Sequence, residues 1–537
     1  MGVNFSKTMR NEEACTVPSM PSPGATVEQH FSTRHLLTNL KQRTISSGLI
    51  TAAAQVAQFL LNLAYIMVLA RLLAPQEFGL VAMVTTVMGF LRIFQDAGLS
   101  TATVQREEIT HAQVSNLFWV NVGVGGIITL LVAASAPAIA WFYREPRLIG
   151  ITLLLSPTFL LASSAVQHVA LLNRQMRFGA IATIDILSML AGYLTGIGIA
   201  LWGYGYWALV TANIVQVGTR LVLAWLVSGW RPQLPSRNTQ TRHLLTFGAN
   251  LTAGTLMNSL SRGADNLLIG RFFGAAAVGL YSRASVLLIR PLQQFMGPIN
   301  AVVVPALSRI QNQDDRYRRT FLQVFEPVAL VSFLSTGLFL ALAQPLTLAV
   351  LGPKWEAAAG IFAALTVAAM TYPPTSASTW LFASQGRGKD WVLASSIVSI
   401  ATLSSFLVGL PFGPVGVAIS YSASCVLIQM PSVYYIAGRR GPVSGKALWI
   451  GSLHHLPIWG VVCGTTWFAR SFVLNANSWI QLLVCTPVGL VAAAAYITIC
   501  RPSRRVATNL LSILWDLKSA RSVPPGRNSN VASEPIS

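Results

Sequence analysis

Residues 70–80 read Ala-Arg-Leu-Leu-Ala-Pro-Gln-Glu-Phe-Gly-Leu, and residues 270–280 read Gly-Arg-Phe-Phe-Gly-Ala-Ala-Ala-Val-Gly-Leu. Arg71, Gly79 and Leu80 recur as Arg271, Gly279 and Leu280, an ungapped offset of 200. Each copy sits where one apolar run ends and the next begins, so it marks the corresponding hairpin of a duplicated unit. The offset holds six apolar runs, an even number, so both copies cross in the same sense. That makes a parallel repeat about an axis along the membrane normal. The expected fold is an all-α polytopic membrane protein: about 14 transmembrane helices, two parallel six-helix lobes plus two C-terminal helices.

Composition places the chain in a bilayer. It has 537 residues, 53% hydrophobic and 10% charged, against roughly 25% charged for an average soluble protein. Spans are expected near 45–70, 78–98, 115–142, 148–172, 180–202, 204–228, 244–272, 278–304, 321–343, 356–384, 391–411, 413–437, 447–470 and 479–500. The splits at Trp202–Tyr204 and Pro411–Gly413 rest only on Gly and Pro interrupting long apolar runs. This divides the chain into an N-terminal tail (1–43), an N-lobe (44–236), a C-lobe (237–440), two further spans (441–502) and a C-terminal tail (503–537).

A net charge of +20 would suggest nucleic acid in a soluble protein; here topology accounts for it. With both termini on the cytoplasmic side, inner loops carry fifteen Lys/Arg and outer loops six, with eleven more in the tails. This is the positive-inside bias. No nucleic-acid partner is implied. Residues 1–43 lack an apolar h-region, so they are no secretory signal. Met1-Gly2-Val3-Asn4-Phe5-Ser6 matches the myristoylation pattern, although a many-span chain needs no lipid anchor. The polar end of the chain after residue 503 reads as disordered.

Charge inside the spans is the functional signal. Arg92, Arg262, Arg283 and Arg290 lie at bilayer depth, where a guanidinium must face protein or water. Its planar fork also matches phosphate. Arg290, followed by Pro291, lies near mid-span with Arg283 two turns earlier on the same face. Proline here predicts a broken helix of the kind that builds transporter sites. The bland reading of both arginines is an ion pair with a neighbouring helix, or snorkelling for Arg283 near a span end. Arg92 with Asp96, and Arg262 with Asp265, can each close internally. Neutralisation and function remain open for these pairs, and Asp96 or Asp265 could carry a coupling ion. Asp185, Arg220 and Glu326 read as structural or gating groups.

Polar stripes support a cavity. Gln55, Gln58 and Asn62 share one face of the first span, and the offset of 200 places Thr255, Asn258 and Arg262 opposite them in the repeat. In hydrocarbon such stripes turn inward, where amides suit sugar hydroxyls. No enzyme constellation appears. The five cysteines (Cys15, Cys425, Cys463, Cys485, Cys500) show no metal or disulfide spacing. No cofactor and no metal are expected. His454–His455 reads as interfacial.

Several segments carry a family resemblance. They are Ala70–Leu80 continuing to Gln95-Asp96-Ala97-Gly98-Leu99; Asn173-Arg174-Gln175-Met176-Arg177-Phe178; Gly203-Tyr204-Gly205-Tyr206-Trp207-Ala208-Leu209-Val210; and Val304-Pro305-Ala306-Leu307-Ser308-Arg309. In this order, over roughly residues 35–445, the chain resembles the Wzx-like oligosaccharide flippases, polysaccharide transporters of the multidrug/oligosaccharidyl-lipid/polysaccharide exporter superfamily. The resemblance implies a V-shaped pair of lobes working by alternating access. It implies an undecaprenyl-diphosphate-linked oligosaccharide as substrate, moved across a bacterial inner membrane for exopolysaccharide, capsule or O-antigen assembly. Membrane lipids, and polysaccharide polymerase or export proteins, are the partners it suggests, with the chain itself monomeric.

Two alternatives stay open at this stage. One is an ion-coupled drug or small-metabolite antiporter on the same scaffold; the missing acid between residues 45 and 70 counts against it. The other is a membrane polysaccharide polymerase or ligase, which needs a large outer catalytic loop that the expected topology lacks. A scaffold without transport would leave the matched stripes unexplained.

Overall fold

The computed structural model describes residues 40–96, 99–106, 109–236 and 263–509. Among these residues the regular structure is helical: α1 (Leu40–Leu72), α2 (Pro75–Asp96), α3 (Leu99–Gln105), α4 (His111–Tyr143), α5 (Leu148–Leu155), α6 (Pro157–Arg174), α7 (Phe178–Leu201) and α8 (Trp207–Ser228). There follow α9 (Ala264–Arg309), α10 (Asp314–Ala341), α11 (Ala343–Leu351), α12 (Ala358–Ser384), α13 (Gly388–Gly409), α14 (Gly413–Ser424), α15 (Met430–Gly438), α16 (Gly445–Leu453), α17 (Leu456–Ser471) and α18 (Ser478–Ile499). A 3-10 turn, Pro353–Trp355, links α11 to α12, and a π-helical segment, Cys425–Gln429, joins α14 to α15. Among the described residues, nine helical runs are long and apolar enough to cross a membrane. The chain is a multi-pass membrane protein.

The helices before residue 229 pack chiefly on one another: α1 on α7, α4 on α6, and α8 on both α6 and α7. Those after residue 263 do the same, with α12 central to α9, α10 and α14. The last pair, α17 and α18, pack together and lean on α10 and α11. The two halves meet mainly where α2 crosses α9, with α1 also touching α11.

That crossing is made by the repeated hairpin itself. A Cβ on Gly79 would lie 1.7 Å from the Ala275 carbonyl oxygen, and one on Gly279 would lie 1.9 Å from that of Pro75. The two contacts are mirror counterparts under the offset of 200. Only glycine lets the backbones approach this closely, as small residues do at membrane helix crossings. The break between Leu72 and Pro75 also has its counterpart, because α9 is interrupted at Gly274 (φ 77, ψ −176).

A second repeated turn emerges 210 residues apart. Gln175, Met176 (φ 54) and Arg177 (φ −82, ψ 55) lead into α7 just as Gln385, Gly386 (φ 66) and Arg387 (φ −81, ψ 54) lead into α13. Arg177 donates to the Val227 carbonyl at 3.3 Å, and Arg387 donates to Ala437 at 2.9 Å and Ile436 at 2.8 Å. Each arginine therefore caps the C-terminal carbonyls of a later helix in its own half. Gly203 (φ 81) and Gly413 (φ 77) continue the series, at the two splits expected from Gly and Pro.

Two boundaries depart from expectation. The break expected after Arg290 is absent: Pro291, Pro298 and Pro305 lie inside helix, while the interruption at Gly274 falls at the hairpin expected between spans 244–272 and 278–304. The span expected over 447–470 is split at His454–His455 into α16 and α17. His455 is buried there, and its ring nitrogen lies 3.5 Å from the Ser503 hydroxyl.

Candidate functional site: three internal cavities and two unpaired arginines

Arg283 and Arg290 lie on α9, two turns apart on the face that meets the first half of the chain. With Phe59 and Asn62 of α1 and Leu346 and Val350 of α11 they line a cavity of about 170 Å³. Arg283 is half-buried, and its Nε is enclosed without a hydrogen-bond partner. Its guanidinium stands over the Phe78 ring, 5.1 Å from the centroid. Arg290 is exposed, as are Gln293, Gln294 and Phe295 further along α9. Among the described residues neither arginine forms an ion pair. An unpaired guanidinium at bilayer depth is costly unless water or an anion attends it.

The opposing α1 wall is uncharged and mostly apolar, with Phe59, Leu63 and Ile66 around one amide, Asn62, and two phenols lie behind it. Asn62 Nδ2 donates to the Tyr193 hydroxyl at 2.8 Å. Tyr193 in turn stacks flat on Tyr65, with centroids 3.9 Å apart and planes 8° apart. Gly196 leaves room for this stack, since a Cβ there would come within 2.7 Å of the Tyr65 hydroxyl. The first half thus offers amide and phenol, and the second half offers charge. The two tyrosines escape sequence reading because an aromatic in an apolar span carries no polarity signal; the one clue is that Tyr65 follows Asn62 by three residues, on the same face.

The other expected site residues lie elsewhere. Arg92 lines a cavity of about 400 Å³ inside the first half, with Gln95, Ser100, Asn173 and Arg220. There Arg220 pairs with Asp185 at 2.9 Å. Asp265 lines a third cavity, of about 480 Å³, inside the second half. Tyr281, Thr371, Tyr372, Tyr421 and Cys425 surround it, and Cys425 belongs to the π-helical segment. Such segments often mark functional positions in helices. Asp265 accepts the Asn266 backbone N–H at 2.8 Å. Gln55 and Gln58 are half-buried on α1 and stand apart from the lining of the arginine cavity. Arg262, Asn258 and the side chain of Asp96 lie outside the described residues, as does Gly2. Of the described site residues, Asn62, Arg283 and Arg290 share one cavity, Arg92 lines a second and Asp265 a third. Among the described residues no group of three His, Cys, Asp or Glu could hold a metal ion.

Comparison with known proteins agrees with this architecture. The family described as "Polysaccharide biosynthesis protein" matches residues 68–360. The chain is 31% identical over 283 residues to the teichuronic acid biosynthesis protein TuaB of Bacillus subtilis, covering 52% of this chain and 58% of that one. It is 26% identical over 324 residues to the lipopolysaccharide biosynthesis protein WzxC of Escherichia coli, covering 59% and 65%. The chain thus spans less than two thirds of the length of either relative. In fold it is similar to the lipid II flippase MurJ in an inward closed conformation, with a TM-score of 0.66, 15% identity, and coverage of 84% of this chain and 99% of that one.

Proposed function

We propose that this chain, which belongs to the polysaccharide biosynthesis protein family, flips an undecaprenyl-diphosphate-linked oligosaccharide across the bacterial inner membrane by alternating access. The observation that carries the reading is the pair of arginines at the seam between the halves, neither of them in an ion pair among the described residues. Two guanidiniums on one helix face, opposite an amide and two phenols, suit a diphosphate joined to a sugar. The relatives' names, which concern teichuronic acid and lipopolysaccharide biosynthesis, point to the same substrate class.

In this reading Arg283 and Arg290 hold the diphosphate. Arg262 and Arg92 act on it at other stages of the cycle, from the second and first halves. Asn62, with Gln55, Gln58 and Asn258, meets sugar hydroxyls. Asp265, the acid of the second-half cavity, and Asp96 carry the coupling ion. The chain performs transport rather than bond chemistry, and needs no cofactor. In this reading both termini are cytoplasmic, as the excess of Lys/Arg in alternate loops supports. The closed α2–α9 crossing then faces outward.

The test is a cell dependent on this protein for polysaccharide output. Arg290→Ala is expected to abolish output while membrane insertion and protein level stay unchanged. Normal output from that variant would overturn the assignment of the arginine cavity.

A further inference from the structure

The two halves cap each other's helix ends at the closed crossing. Arg71, at the end of α1, donates to the Ala349 carbonyl at 2.7 Å and reaches Val350 at 3.5 Å, both in the last turn of α11. In return, Lys354 donates to the Arg71 and Leu72 carbonyls at 3.3 Å, and the buried Trp355 indole donates to that of Ala70 at 2.8 Å. The last carbonyls of a helix have no partner within it and favour a cation. Here each set is satisfied by the other half of the chain. Trp355 also sets its edge on Phe78, with centroids 5.2 Å apart at 76°. Phe78 is buried in a cluster with Leu69, Leu73, Val350 and Leu351, and the Arg283 guanidinium stands over the same ring.

We propose that Arg71, Lys354 and Trp355 form a latch that holds the two halves closed on this face, and that Phe78 couples the latch to occupancy of the arginine cavity. A diphosphate that draws the Arg283 guanidinium off the Phe78 ring removes a cation–π contact from that ring and shifts its packing against Trp355. Separation of the halves exposes the capped carbonyls to interfacial water, which satisfies them in turn, so the latch is reversible. A loaded transporter opens on the latch face, and an empty one keeps it shut. The coupling rests on the diphosphate reading of Arg283; the latch itself does not.

Spin labels at Gln76→Cys and Glu356→Cys, both exposed positions flanking the latch, read its state by pulsed electron resonance in nanodiscs. The full chain is used with its five cysteines (Cys15, Cys425, Cys463, Cys485, Cys500) replaced by serine. Without ligand, one short distance is expected. Trp355→Ala shifts the main peak to longer distance, and Trp355→Phe, which keeps the ring but loses the N–H donor, shifts it less. An unchanged distribution in both variants overturns the latch. Inorganic pyrophosphate lengthens the distance in the parent and has no effect in Phe78→Leu. Pyrophosphate that binds by titration calorimetry yet leaves the parent's distance unchanged overturns the coupling while the arginine reading stands. Failure of pyrophosphate to bind overturns the arginine reading and the coupling together, and the Trp355 variants still decide the latch.

Discussion

The interiors of the two halves share a frame and differ in chemistry. The first-half cavity carries Arg92 and an Arg220–Asp185 pair, whereas the second-half cavity carries one carboxylate, Asp265, among hydroxyls and phenols. Yet the turns that build the halves correspond closely, from Gly79 and Gly279 to Arg177 and Arg387. Backbone geometry is thus held in common while the cavity lining is free to diverge. The proposed function draws on the lining and the seam rather than on the frame. At the seam the asymmetry is sharpest, because both unpaired arginines come from the second half and face neutral groups of the first.

The largest effect should come from breaking that asymmetry. If Arg283 and Arg290 hold the diphosphate as proposed, Arg283→Ala and Arg290→Ala each remove charge-assisted hydrogen bonds of about 1.5–3 kcal/mol, so transport by reconstituted protein should fall roughly 10- to 150-fold in each. Equal loss from Asn62→Ala would mean that the neutral wall matters as much as the charged one. Next in size is the shared frame. Gly79→Val drives a side chain into the Ala275 carbonyl and should cost about 3 kcal/mol or more, visible as a lowered thermal transition. Gly123→Val, where a Cβ would meet nothing within 4 Å, should leave that transition in place.

A smaller effect separates the two caps. Arg387 bonds the carbonyls of Ile436, Ala437 and Arg440 and also Asp390, while among the described residues Arg177 bonds that of Val227 alone. Arg387→Ala should therefore destabilise by about 3 kcal/mol and Arg177→Ala by about 1 kcal/mol in chemical denaturation. Equal losses would mean the halves are held alike. The smallest effect belongs to the exposed Glu145–Arg147 pair, 2.8 Å apart in the turn after α4. The Arg147 hydrogen bond holds the Glu145 carboxyl below the usual range. Its stabilisation is present above the unfolded carboxyl's pKa and fades as pH falls through the lowered folded value. Glu145→Gln should leave stability at pH 7 within measurement error, as exposed pairs contribute little.

Much of the frame was legible because certain positions tolerate one residue. Gly79 and Gly279 recur since any side chain would strike a facing carbonyl, and that contact leaves a mark in the sequence. The second repeated turn was hidden: Met176 stands where Gly386 does, and the offset has grown by ten residues. The arginines were visible as charges in apolar runs. The separation of Arg92 from Arg283 and Arg290 into different cavities was not, because a one-dimensional pattern shows which face of a helix is polar and not which helix it meets. Proline misled for a related reason: α9 absorbs Pro291 within a continuous helix, and the interruption falls at Gly274.

The most direct test compares a lipid diphosphate with its matched monophosphate, each carrying the same fluorescent sugar, as substrates for the protein in proteoliposomes. The parent should prefer the diphosphate by about tenfold or more, since the second phosphate gains a charge-assisted contact of about 1.4 kcal/mol or more. Arg290→Ala should move both lipids at similar, low rates. An undiminished preference for the diphosphate in Arg290→Ala would contradict the account.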